Sequence, residues 1–284
     1  MSKVGIVILN YNDYETTSNM LDNIKNYKSL DNIVVVDNNS IDDSYNILKK
    51  YNNKKIDVVK SDINGGYSAG NNFGIKHLLD NYKVDYVIIS NPDITVTDDT
   101  IKSLINELDK DEKIKVIAPC ISELGTIKRG WKLPDYYGEM ITILNTRQRF
   151  HKTYGLYDEN HYKDRLSKVE VVSGCFFIIR SDVLNEIGLF DEGTFLYYEE
   201  NILGHILKEK GYDTYILNDV TVTHNLSQSV DKSVKKLKKY KILVKSLMYY
   251  EKKYNKRNIF SMLFLTVIYV ISYVLAYIKN MFKR

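Results

Sequence analysis

Only two cysteines, Cys120 and Cys175, occur in 284 residues. That is too few for a disulfide framework, and a reducing compartment is expected. Met1-Ser-Lys3 runs directly into a strand-like pattern, so no signal peptide is expected. No G-x-G-x-x-G follows the first apolar run, which removes the dinucleotide-binding fingerprint. Asn10-Tyr-Asn-Asp13, at that position, also lacks the glycines and basic residue that a triphosphate-holding loop needs. There is a single tryptophan, Trp131. What is present is ample for a core: 44% of residues are hydrophobic and 27% charged, within the range of one large domain or two small ones.

The net charge of +4 hides an asymmetry. Lys232 to Arg257 holds eleven Lys/Arg and one acid, Glu251, for +10; the last 27 residues add +3, which leaves −9 for residues 1–231. A basic segment on an acidic body points to an anionic partner surface. The adjoining Ile259–Ile278 supplies twenty uncharged, mostly apolar residues, about the length that crosses a bilayer. Ser261, Thr266, Ser272, Tyr269, Tyr273 and Tyr277 keep it from being maximally hydrophobic. We therefore expect lipid rather than nucleic acid, and a membrane-embedded or membrane-lying helix, with a packed or oligomerising helix as the alternative. Lys232–Arg257 reads as a basic amphipathic helix. The expected division is a catalytic body over 1–230 and a membrane-associating tail over 231–284.

Within the body, strands and helices alternate. Val4–Leu9, Ile33–Val36, Ile56–Val59 and Val84–Ile89 are β-branched runs without helical period, and helical stretches separate them. This alternation, continued to Ala118, predicts an α/β domain with a mainly parallel sheet. Polar clusters follow each strand: Asn10-Tyr-Asn-Asp13, Asp37-Asn-Asn-Ser40, Asn64-Gly-Gly-Tyr-Ser-Ala-Gly-Asn-Asn72 and Asn91-Pro-Asp93. Parallel strands put such loops on one edge, where open α/β sheets bind ligands. Ser40 with Asp43 reads as a capping box. Residues 121–168 lack periodicity and read as a surface excursion over the site. Val169–Ile179 reads as one strand interrupted at Ser173-Gly174, and Glu199-Glu200 opens a helix that ends near Gly211.

Asn91-Pro92-Asp93 ends its strand abruptly, because proline cannot donate to a ladder. A carboxylate at that rim suits a hard divalent cation held against a diphosphate; the tripeptide equally suits a turn capping the next helix. Gly65, Gly66 and Gly70 permit close backbone approach. Two acids at a helix start can also be simple dipole partners.

Together these motifs resemble the family-2 glycosyltransferases of the glycosyltransferase-A fold (a nucleotide-diphospho-sugar transferase fold), in particular a bacterial rhamnosyltransferase-like branch. Ile8–Asn12, Val36–Ser40, Asn64–Asn72, Asn91–Asp93, Ser173-Gly174, Gly188–Asp191, Tyr198–Glu200 and His224 carry the resemblance, over most of residues 3–226. It implies an inverting transfer from a UDP- or dTDP-sugar, with dTDP-rhamnose favoured. The implied acceptor is a lipid-linked saccharide, in surface polysaccharide or capsule assembly at the cytoplasmic face of the cell membrane. It implies donor binding by Asn10, Tyr11, Asp37, Asn39, Asn64, Gly65, Gly66, Asn72, Asn91, Asp93 and Gly174. Asp93 and His224 would hold Mg2+ or Mn2+, Glu200 would be the base, Glu199 would assist it and bind acceptor, and Trp131 would line the acceptor side.

The chain departs from the family pattern in places. Asn91 replaces the usual first aspartate, Glu199-Glu200 replaces Glu-Asp, Ile202-Leu203 replaces Asp-Leu, and Ile206 replaces an arginine. Two rivals are a sugar-1-phosphate nucleotidyltransferase, which the Asn10–Asp13 loop disfavours, and a non-catalytic membrane-bound scaffold, which the retention of Asp93 and Glu200 disfavours.

Overall fold

Four β-branched runs build one half of the sheet. The computed structural model describes residues 2–144, 155–225 and 236–281. In it, β1 (Val4–Asn10), α1 (Tyr14–Ile24), β2 (Asn32–Asp37), α2 (Ser44–Leu48), β3 (Ile56–Lys60), α3 (Gly66–Asn81) and β4 (Tyr86–Ser90) follow in order. β1 pairs in parallel with β2 and β4, and β2 with β3. The register sets Asn10 opposite Asp37, Asp37 opposite Lys60 and Ile8 opposite Ser90. The carboxyl ends of these strands therefore reach one edge.

Side-chain alternation assigns each strand residue to one of two layers. Ile6, Ile8, Ile33 and Val35 face a core with Met20 and Leu21 of α1 and Leu48 of α2. Val7, Val34 and Val36 face the opposite core with Ile75 and Leu78 of α3. This gives a helix–sheet–helix sandwich.

The other half comprises β5 (Ile94–Thr95), α4 (Asp98–Lys110), β6 (Ile114–Glu123), β7 (Thr126–Lys128), α5 (Tyr136–Ile143), β8 (Leu166–Val169), β9 (Phe176–Arg180), α6 (Ser181–Ile187), α7 (Glu199–Glu209) and β10 (Asp213–His224). The strand order is β3-β2-β1-β4-β9-β6-β10-β5, with β7 on β6 and β8 on β10. β9 runs antiparallel to both β4 and β6, while β6 and β10 are parallel. The sheet is thus mixed, and the parallel arrangement describes its first four strands. The reason lies at the rim: β9 starts beside the end of β4, so it must run back down.

Three local expectations are corrected. Val169–Ile179 is not one interrupted strand: only Val169 belongs to β8, which pairs with β10, and β9, which lies between β4 and β6, begins at Phe176. The excursion over 121–168 contains the end of β6, the β7 hairpin, α5 and β8; residues 145–154 of it lie outside the described residues. Ser40 does not cap α2, which starts at Ser44 with no side-chain cap. Its hydroxyl instead accepts from the Asn12 backbone N–H at 2.9 Å.

The C-terminal segment forms two helices, α8 (Lys236–Lys253) and α9 (Ile259–Met281); the start of the expected basic helix, 232–235, lies outside the described residues. Val244, Leu247 and Tyr250 of α8 are buried with Tyr198 and Ile202 of the α7 region, Ile143 of α5 and Leu265 of α9. The expected boundary after residue 230 therefore cuts α8 from the side chains it covers.

Candidate active site

The first part of the site is a polar loop network at the ends of β1 and β2. Asp37 is fully buried. Its carboxylate accepts from the Asn10 side-chain amide at 3.0 Å and from the Ser40 backbone N–H at 3.1 Å. Asn10 is fixed in turn by the Thr17 hydroxyl, which donates to its carbonyl oxygen at 2.8 Å. Asn12 and Asn39 sit at φ 52° and 55°, a region asparagine tolerates better than most residues. Tyr11 is half-buried beside them. Asn38, absent from the expected set, ties this loop to the glycine-rich one: its amide donates to the Asn64 side chain and to the Gly66 carbonyl, both at 3.1 Å.

The glycine-rich loop has a second partner that sequence reasoning missed. Gly66 has φ +88°, and a Cβ there would lie 2.0 Å from the Phe195 carbonyl oxygen. Tyr67 donates its backbone N–H to that oxygen at 2.9 Å, and its hydroxyl to the Gly174 carbonyl at 2.5 Å. A Cβ on Gly65 would meet Ala69 inside the same loop. Asn72, expected on the donor side, spends its side chain on the 190–192 turn, donating to the Phe190 carbonyl and Glu192 and accepting from the Phe190 N–H. The loop thus holds the segment leading into α7.

The turn after β4 carries Asn91 and Asp93. The Asn91 N–H donates to the Cys175 carbonyl at 2.9 Å, which pins the turn to the start of β9. β5 pairs antiparallel with β10 so that His224 faces Ile94, and this brings His224 Nε2 to 3.2 Å from Asp93 Oδ2. Nδ1 of the same ring lies 3.3 Å from Glu123 Oε1, and Glu123 is ion-paired with Lys128 across the β6–β7 hairpin. Ligand atoms in adjacent positions on an ion at about 2.1 Å stand about 3 Å apart, so Asp93 and His224 fit one magnesium- or manganese-sized ion. Glu123 would orient the ring, as a carboxylate behind a ligating histidine does. Among the described residues no set of three or more such side chains is arranged around an ion. Diphosphate oxygens and water would fill the remaining positions. On the α1 side Asp93 also borders a hollow of about 270 Å3 lined by Thr16, Asn19, Asn23 and Asn225.

Two carboxylates open α7. The preceding residues, Tyr197 and Tyr198, both have φ 70°, a left-handed conformation that is strained for tyrosine. Tyr198 is buried with its hydroxyl on Glu139. Glu199 and Glu200 are half-buried at the rim, and Glu199 Oε2 is enclosed without a hydrogen-bond partner. Burial, and then the charge of Glu200, push the Glu199 carboxyl well above its ordinary range. Burial also raises Glu200, but the N–H groups of Glu200 itself and of Gly174, the latter at 3.4 Å, oppose the rise. The pair therefore keeps one proton most readily on Glu199 and the charge on Glu200.

Ser173-Gly174-Cys175 joins the halves. A Cβ on Gly174 would crowd Tyr67 and Glu200 at 3.0 and 3.2 Å. The Cys175 thiol, pushed up to about 12 chiefly by burial, also feels the charges of Glu200 and Asp93. Trp131 is half-buried nearby, its indole N–H donating to Asn201 in the first turn of α7 at 2.9 Å.

A parallel half-sheet with polar rim loops, continued by a mixed half that carries an acidic turn and a helix-start carboxylate pair, is the glycosyltransferase-A arrangement. Solved structures share it at 15% identity. That of GalNAc-T7 with UDP, GalNAc and Mn2+ superposes over 79% of this chain and 44% of its own, with a TM-score of 0.61. S. aureus TarS 1-349 with UDP-GlcNAc superposes over 91% of this chain and 69% of its own, with a TM-score of 0.59. The chain belongs to glycosyl transferase family 2, whose model matches residues 5–188. It is 27% identical over 201 residues to the low-salt glycan biosynthesis hexosyltransferase Agl10 of Haloferax volcanii, covering 70% of this chain and 60% of that protein. It is also 25% identical over 247 residues to an uncharacterized glycosyltransferase of Rickettsia typhi, covering 84% of this chain and 70% of that protein.

Proposed function

We propose that this protein is an inverting glycosyltransferase that moves a sugar from a uridine or thymidine diphosphate donor to a saccharide acceptor carried on a lipid. The single observation that carries this reading is the Ser173–Cys175 crossing, whose N–H at Gly174 meets Glu200 while its carbonyl at Cys175 meets the Asp93 turn. A metal-and-diphosphate site and a base on opposite sides of one short segment suit a single displacement. Asp37, with Asn10, Tyr11, Asn39 and Asn64 around it, forms the nucleoside end. Gly65, Gly66, Asn72 and Gly174 shape the passage between donor and α7. Asp93 and His224 hold Mg2+ or Mn2+, which when bound neutralises the departing diphosphate. Asn91 in place of an aspartate reduces the negative charge offered to that ion.

Glu200 takes the acceptor hydroxyl proton. Neighbouring helical residues point about 100° apart, so Glu199, holding its proton, is left to bind acceptor together with Trp131. The branch pattern favours dTDP-rhamnose, and the hexosyltransferase relative makes a UDP-hexose the alternative. The C-terminal helices hold the enzyme on the cytoplasmic face of the cell membrane, in capsule or other surface polysaccharide assembly. The test is Glu200→Gln: transfer from UDP- and dTDP-sugars should fall by roughly 10²–10⁴-fold, while calorimetric binding of the nucleoside diphosphate with manganese stays unchanged. Normal transfer by Glu200→Gln with loss in Glu199→Gln would move the base by one residue. A failure of every nucleoside diphosphate to bind would favour a scaffold.

A further inference from the structure

The α8–α9 hairpin distinguishes two ways of holding a membrane. α9 packs through one stripe, Leu265, Ile268 and Tyr269. The ring of Tyr240, near the start of α8, lies 5.8 Å from Tyr269 and 6.5 Å from Tyr273. The helices are antiparallel, so α8 accompanies α9 from its first turn to Tyr273. That stretch is about 22 Å long at 1.5 Å per residue. The part from Val274 to Met281 adds only about 12 Å, far short of the roughly 30 Å of hydrocarbon in a bilayer. To cross, α9 would have to draw α8 in with it. α8 exposes Lys238, Lys241, Lys245 and Lys252 at helical spacing along one face, and charged side chains are strongly disfavoured in hydrocarbon.

The outer side of α9 is the opposite in character. Phe260, Leu263, Phe264, Val267, Ile271 and Leu275 each expose more than half of their surface. Only 6% of the span is buried within the protein. An apolar face beside a row of lysines is the pattern of a helix lying at the water–lipid boundary.

We propose that the hairpin lies in the plane of one leaflet, with the outer face of α9 among the acyl chains and the lysine row of α8 on anionic lipid phosphates, and that α9 does not cross. This deepens the membrane association proposed above and rests on it. The ring of Tyr250 of α8 lies 5.7 Å from that of Tyr198, the residue before Glu199, tilted at 47° to it. The α7 carboxylates then stand about two helix layers, roughly 20 Å, from the acyl boundary.

The test uses the full chain with an epitope after Arg284, synthesised in the presence of sealed inverted inner-membrane vesicles. Flotation first establishes binding, and protease is then added outside. The epitope should be cleaved without detergent; an epitope protected until detergent is added means a crossing helix and overturns the proposal. In parallel, the purified chain is partitioned onto vesicles of phosphatidylcholine with or without phosphatidylglycerol. Replacing Lys238, Lys241 and Lys245 by Gln should weaken binding to the anionic vesicles on the order of 100-fold and leave neutral vesicles unaffected. Equal loss on both, or none, overturns the lipid-phosphate contact. A chain that never floats refutes the membrane reading itself. A soluble dimer that Phe264→Glu dissociates would assign the face to a second copy.

Discussion

Gly66→Ala separates support of α7 from donor binding. Alanine at φ +88° costs about 1–2 kcal/mol for the left-handed backbone alone. The new methyl would also stand 2.0 Å from the Phe195 carbonyl oxygen, where contacts below 3.0 Å essentially never occur, so the Phe195 backbone must retreat by about 1 Å. That retreat breaks the 2.9 Å bond from the Tyr67 N–H, worth about 1 kcal/mol. The expected loss is about 2–4 kcal/mol, or roughly 5–15 °C in Tm for a chain of this size. Phe195 lies four residues before Glu199, so the shift passes into the strained Tyr197-Tyr198 pair. A misplacement of about 1 Å at reacting groups costs on the order of 100-fold in rate. Gly125→Ala is the control: its φ is +77° but nothing lies within 4 Å, so it bears the backbone cost alone. Tm, calorimetric donor affinity and single-turnover transfer should be measured on both variants. If Gly66→Ala loses no more transfer rate than Gly125→Ala, the contact with Phe195 does not aim the carboxylates.

Three further outcomes are expected. Glu199, raised by burial and by Glu200, keeps in the folded state a proton that the unfolded chain releases near 4.5, so stability falls as pH rises above that value; Glu199→Gln should remove this slope, leaving the variant the more stable at pH 8 in urea titrations, and a parallel decline in both proteins would contradict it. Glu123→Gln should weaken manganese-dependent nucleotide binding roughly 10–100-fold through the His224 ring, without altering metal-free binding, as calorimetry with and without EDTA would read. Truncation after Asn258 removes Leu265 from its buried cluster but keeps α8, whereas truncation after residue 230 also removes Val244, Leu247 and Tyr250 and forfeits about 6 kcal/mol more of burial, much of a normal folding stability; equal urea midpoints for the two would refute that packing argument.

The parallel half of the fold was legible because each β-branched run ends in a polar cluster, and chain order alone places those clusters on one rim. The rest depends on partners distant in sequence. Val169–Ile179 is continuously apolar apart from Ser173-Gly174 and one glutamate, and nothing local says that its two ends pair with different strands. Glu123 was hidden by its turn: Leu124-Gly125 connects β6 to β7 at φ 50° and 77°, a two-residue hairpin for which Asn-Gly is the recognisable signal and leucine is not. Tyr197 and Tyr198 disguise a left-handed entry to α7 in the same way. Asp37, Asp93, Gly174, Glu200 and His224 were legible as candidates from spacing and resemblance. Ser40 reads locally as a helix cap because its hydrogen bonds to Asn10 and Asn12 span 30 and 28 residues.

One turn links the two ends of the molecule mechanically. Asn72 of α3 grips Phe190 and Glu192. The residue between them, Asp191, accepts from Tyr249, Lys253 and Tyr254 at the end of α8. Burial works against the charge of Asp191, yet Lys253 and the two tyrosines hold its carboxyl below the ordinary range, so the clasp is closed at neutral pH. A load applied to α8 thus has a hydrogen-bonded route through Asp191 to the helix that begins in the glycine-rich loop, beside its packing on Tyr198 and Ile202. Lateral tension in whatever surface carries the hairpin would therefore reach both the glycine-rich loop, through Asp191, and the start of α7, through Tyr198.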